Sequence, residues 1–205
     1  MVAPLKRKNT IEQNFFRFDD AFFYFSAKKY LYEDIEEIRF VRSRFELKTI
    51  GVGSDYSYSI AVEITINKNE KLKLIEQPTF FSSEKVENIK YIEEFLKNAL
   101  SKSWENRIQK YIEQVQRNKF FTYANWNFYI NDREFYDSQN NKKYSLNSVQ
   151  LFKNYGTLVL KEKNESFASK FANVALGKQI FIDTLTNTDV FYALLSHYYN
   201  LNWEN

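Results

Sequence analysis

The sequence predicts an α+β protein made of one small fold written twice. Each copy reads as an antiparallel β-barrel or sandwich closed by a C-terminal helix, and a helical linker joins them. Three observations predict this. The first is an internal repeat: Phe23-Tyr24-Phe25-Ser26, then Lys28-Lys29-Tyr30, then Tyr32, Ile35 and Ile38. It returns as Phe135-Tyr136-Asp137-Ser138, Lys142-Lys143-Tyr144, then Leu146, Val149 and Phe152, with two extra residues before the lysine pair. Such self-similarity implies two copies of about 100 residues. The second is a strict alternation from Tyr56 to Asn67, which marks a strand with one face on a core. The third is an apolar stripe at three- and four-residue steps between Glu84 and Lys119, uninterrupted by Pro or Gly.

In chain order, residues 1–14 form a polar N-terminal tail and 15–102 the first domain. Phe16, Phe18 and Phe22 to Phe25 read as two short strands around an Asp19-Asp20 turn. A longer strand runs from Ile35 to Leu47, with Val41, Phe45 and Leu47 on one face and a bulge near Phe40-Val41. Gly51-Val-Gly53-Ser-Asp55 is a turn. In the strand that follows, Tyr56, Tyr58, Ile60, Val62, Ile64 and Ile66 face the core. Asn67 to Glu70 turns the chain, Leu72 and Leu74 return inward, and Pro78 ends the strand. Ser82 or Ser83 caps a helix carrying Val86, Ile89, Ile92, Phe95, Leu96 and Leu100, which either breaks at Ser101–Ser103 or runs on as a single helix to Lys119.

Residues 103–119 are the helical linker and 120–205 the second domain. Trp126, Phe128 and Ile130 alternate along a strand, and Asn131-Asp132 and Gln139–Lys143 are turns. Val149–Leu151 and Leu158–Leu160 form a hairpin across Asn154–Gly156. A loop at 162–167 contains the sequon Asn164-Glu-Ser166, a chance match in a cytoplasmic chain. Residues 172–176 fit no single element. Gln179–Ile182 is a last strand, and Thr186-x-x-Asp189 opens a terminal helix carrying Val190, Phe191, Leu194, Leu195 and Tyr198.

This order resembles the pleckstrin-homology (PH-like) fold, a bent barrel of seven strands capped by one helix. The resemblance covers 15–99 and 120–199. It is carried most clearly by the ending Thr186-Asn187-Thr188-Asp189-Val190-Phe191 with Leu194-Leu195, similar to the close of many bacterial PH-like domains. It implies a shape-based binding module, and fold alone assigns no activity.

The chemistry-bearing residues point away from catalysis. Cysteine is absent, and His197 is the only histidine, so the usual zinc ligand sets cannot form. His197 reads as a helix C-terminal cation rather than a general base. Adjacent carboxylates in a strand point to opposite faces, so Asp19-Asp20 and Glu36-Glu37 make poor acid–base couples. Gly51-Val-Gly53 lacks the Lys-Ser/Thr of a phosphate loop, and no nucleophile elbow is present. No cofactor or metal is expected.

Net charge is +3 from 29 basic and 26 acidic residues, too even for a nucleic-acid binder. Residues 1–9 are polar and basic, with no apolar region after them, so neither a secretory leader nor a membrane span is expected. Aromatic content of 19% against 4 Gly and 2 Pro demands packed sheets rather than disorder. Abundant Lys, Asn, Ile, Phe and Tyr fit an AT-rich bacterial genome.

The reading is therefore a cytoplasmic, non-enzymatic protein-binding protein: an immunity or inhibitor protein that neutralises a toxin by contact. Glu33, Asp34, Glu36, Glu37, Asp55 and Tyr56 are the expected partner-binding residues, the acidic ones suiting a basic partner. The alternative is a PH-like module recognising anionic lipid or phosphate at a membrane surface through Lys28, Lys29, Arg42, Arg44, Lys142 and Lys143, with Arg39 nearby. A third reading, an enzyme of unfamiliar chemistry, would need a polar pocket around His197.

Overall fold

The computed structural model describes residues 16–49, 53–67, 70–77, 83–154, 157–162, 179–181 and 185–201. The chain is α+β and divides into two compact units, Met1–Arg107 and Ile108–Asn205.

The first unit begins with a three-stranded antiparallel meander of β1 (Phe16–Phe18), β2 (Phe22–Phe25) and β3 (Lys28–Leu31). The β1–β2 turn is chemically defined. Asp19 Oδ1 accepts hydrogen bonds from the backbone N–H groups of Ala21 (2.8 Å) and Phe22 (2.9 Å), closing an Asx turn. A 3₁₀ turn, Tyr32–Asp34, leads to a second meander of β4 (Ile35–Thr49), β5 (Gly53–Ile66) and β6 (Glu70–Glu76). Helix α1 (Ser83–Lys102) packs on both sheets. The core joins Phe16, Phe18 and Phe23 of the first sheet, Ile38, Val62, Ile64, Leu72 and Leu74 of the second, and Ile92, Phe95 and Leu96 of α1.

Helix α2 (Trp104–Asn118) follows one non-helical residue, Ser103, within the stretch where the sequence places a break. The second unit has a four-stranded meander of β7 (Phe120–Tyr123), β8 (Trp126–Tyr129), β9 (Glu134–Asp137) and β10 (Lys142–Ser145). A three-stranded meander of β11 (Val149–Asn154), β12 (Thr157–Glu162) and β13 (Gln179–Phe181) comes next, then α3 (Thr188–Tyr199). Tyr111 of α2 meets Phe121 edge-on at 6.3 Å. Phe191 of α3 stacks on Tyr123 at 3.9 Å and meets Phe128 at 5.3 Å. The end of α3 is tied down twice. Tyr199 Oη donates to the Tyr129 carbonyl (3.0 Å), and Arg133 Nη2 donates to the Tyr199 carbonyl (2.9 Å).

The sequence repeat is a repeat of register. In β2–β3, Phe23 faces Tyr30 and Tyr24 faces Lys29; in β9–β10, Phe135 faces Tyr144 and Tyr136 faces Lys143. The ring pairs even share a geometry: Phe23–Tyr30 at 5.3 Å and 20°, Phe135–Tyr144 at 5.3 Å and 15°. The two-residue difference is absorbed in the turns, Ser26-Ala27 in one copy and 138–141 in the other. The short turn carries strain, since Ser26 and Ala27 have φ of 50° and 67°. Both central positions of such a turn favour Asn-Gly. Replacing Ser26-Ala27 by Asn-Gly is expected to stabilise the protein by about 1 kcal/mol, read as a higher urea midpoint; an unchanged midpoint would refute the strain argument.

Several expectations are corrected. Among the described residues the strands form separate open meanders and no closed barrel. The β4 bulge lies between Ile35 and Glu37, not at Phe40-Val41. Val41 consequently points away from the core, which takes Ile38 on β4. Lys142-Lys143 lies within strand β10 rather than in a turn, as Lys28-Lys29 lies within β3. Helix α3 starts from Asn187, in a left-handed conformation with no side-chain cap, so Thr186 is not its N-cap; Tyr199 rather than Tyr198 is the buried tyrosine. Expectations for 163–178, Gly51, Pro78, Ser82 and Ile182 fall outside the described residues.

Candidate interaction surface

The longest elements of the first unit build its most exposed feature. β4 and β5 pair continuously from Glu37–Thr65 to Thr49–Gly53. β6 pairs only with Ile60–Ile66 of β5. Among the described residues, the ribbon from Ser43–Ser59 outward is therefore two-stranded. Even-numbered β5 side chains continue one face from Tyr56 to Ile66. Ile60, Val62, Ile64 and Ile66 are buried on it, whereas Tyr56 and Tyr58 are 44% and 51% exposed. Arg44, opposite Tyr58, lays its guanidinium over the Tyr56 ring at 3.8 Å. An arginine stacked on one exposed tyrosine beside a second gives broad, stiff, amphipathic contact area, as interface anchors do.

The other face of the same sheet is charged. Glu63 lies between Lys73 (3.0 Å) and Lys71 (3.7 Å). With Arg39, Val41, Ala61, Val62 and Ile75, Glu63 and Lys73 line a shallow depression of about 140 Å³. The Lys73 hydrogen bond, reinforced by the nearby cations, holds the Glu63 carboxyl below its ordinary value of 4.5. A carboxylate depressed in the folded state contributes stability above the unfolded value that disappears as pH falls through the folded one. The stability of Glu63→Gln should therefore fall less steeply than that of the wild type as pH drops below about 4.5. Thermal midpoints from pH 7 to 3 check this, and parallel curves would exclude the effect.

The expected partner-binding residues do not form one patch. Glu33 and Asp34 occupy the 3₁₀ turn, where Asp34 Oδ2 accepts from the Leu31 N–H at 3.4 Å. Glu36 is the extra residue of the β4 bulge, and Glu37 follows it. Asp55 pairs with Leu47, ten residues further along β4 than Glu37, a separation of roughly 33 Å. Only Tyr56 among the six lies on the exposed ribbon with a described side chain.

The expected anion-binding residues do not converge either. Lys28 is bound to Glu70 at 2.6 Å, which Tyr30 Oη also reaches at 2.5 Å. Lys29 sits over the Phe22 ring at 3.6 Å on the opposite face of β3. Arg42 pairs with Glu93 of α1 at 3.4 Å, and Arg44 belongs to the tyrosine ribbon. In the second unit Lys142 is exposed, while Lys143 is ion-paired with Glu134.

Grouping Arg44 with the lysines hid its pairing with Tyr58. His197 is exposed on the last turn of α3, its ring edge-on to Tyr198 at 4.8 Å. Among the described residues no cluster of His, Asp or Glu is placed to hold a metal, and no helix is long and apolar enough to cross a membrane. Compared with protein-family models, curated proteins and solved structures, the chain has no match.

Proposed function

We propose that this chain is a non-enzymatic protein-binding protein of two PH-like domains, acting as a cytoplasmic bacterial inhibitor or immunity protein that neutralises a toxin by direct contact. The element order supports the PH-like part. The second unit runs four strands, three strands, helix, and the first runs three, three, helix, with the same register in the repeated hairpin. The observation that carries the binding reading is the Arg44–Tyr56–Tyr58 surface on the two-stranded ribbon. Ion-pairing of Lys28, Arg42 and Lys143 leaves less cationic surface for a lipid headgroup and so favours a protein partner.

Co-expression with the product of an adjacent gene tests the proposal. The expected result is a complex that survives gel filtration and suppresses that product's toxicity. Arg44→Ser, Tyr56→Ser and Tyr58→Ser should each weaken it about 30-fold, at about 2 kcal/mol per anchor, with no change in thermal midpoint. A complex unaffected by all three substitutions would remove the ribbon from the interface. Absence of any complex would sink the inhibitor reading.

A further inference from the structure

We draw no further inference here: the strongest candidate, the shallow depression on the outer face of the β4–β5–β6 sheet between Arg39, Glu63, Lys73 and Ile75, carries nothing because nothing in the structure shows what covers it.

Discussion

Phe95→Ala is expected to cost the first unit about 3–5 kcal/mol, enough to erase much of a small domain's stability. Phe95 is completely buried, and rings from β1, β2 and the 3₁₀ turn converge on it. Its ring meets Phe16 at 4.8 Å, Phe23 at 5.2 Å, Phe18 at 5.6 Å and Tyr32 at 6.1 Å. Truncation removes the transfer free energy of a benzyl group and leaves a cavity walled by other rings, which cannot collapse into it without leaving their rotamers. Two edge-to-face contacts, with Phe16 and Phe23, go at the same time. Urea denaturation followed by near-ultraviolet circular dichroism should show a lower midpoint and early loss of aromatic signal. Phe191→Ala is the matched experiment in the second unit, where the buried ring contacts Tyr123 and Phe128. By contrast Phe40→Ala, at a half-buried position beside the core, should cost less than half as much. Equal losses for Phe40→Ala and Phe95→Ala would show that the α1 ring does not organise the core.

Much of this fold could be read from the residues, because the repeated aromatic hairpin and the helical stripes are local patterns. The apolar positions of α1 follow from spacing alone, and Ile92, Phe95 and Leu96 are buried where the stripe puts them, whereas the same spacing runs on through Ser103 and does not mark the break. Alternation likewise assigns each β5 residue to a face. It does not say how far along the strand that face is covered. Tyr56 and Tyr58 share the phase of Ile60, yet the core ends before them. Coverage depends on β6 and α1, whose placement over β5 is long-range information. For the same reason the acidic residues at 33–37 and Asp55, both prominent in the sequence, are separated by the length of a hairpin. The lysine pairs misled in another way. A polar doublet after an aromatic run suits a turn, but all four lysines lie in strands, where Lys28 finds Glu70, Lys29 the Phe22 ring and Lys143 Glu134. Left-handed Ser26 and Ala27 form the tight turn without the glycine that would have announced it.

The residue least legible in the sequence supports the last expected result: Arg107→Leu should destabilise the protein by about 2–4 kcal/mol although leucine is apolar and the site is fully buried. Full burial of an arginine is rare and requires partners. Here Nε donates to Ser103 Oγ at 2.8 Å, Nη2 donates to the Leu100 carbonyl at 2.7 Å, and the guanidinium lies 5.9 Å from the Trp104 ring. Ser103 Oγ in turn donates to the Ala99 carbonyl. The Leu100 carbonyl lies in the last turn of α1, where carbonyls lose their helical donors and the helix dipole favours a cation. The backbone ladder itself bridges Ser103, with its N–H on Ala99 O (3.1 Å) and the Arg107 N–H on Ser103 O (3.0 Å). The side chain therefore satisfies what the break leaves open, rather than causing the break. Leucine would fill most of the space and leave the part-buried Leu100 carbonyl and the Ser103 hydroxyl without this donor, where an unmade bond is costly. Arg107→Lys keeps the charge but cannot reproduce a planar fork reaching two acceptors, and should lie between wild type and Arg107→Leu. Chemical denaturation of the three proteins tests the order. If Arg107→Leu equals wild type within about 0.5 kcal/mol, the range of an ordinary surface substitution, the guanidinium contributes only bulk, and the end of α1 must be satisfied without it.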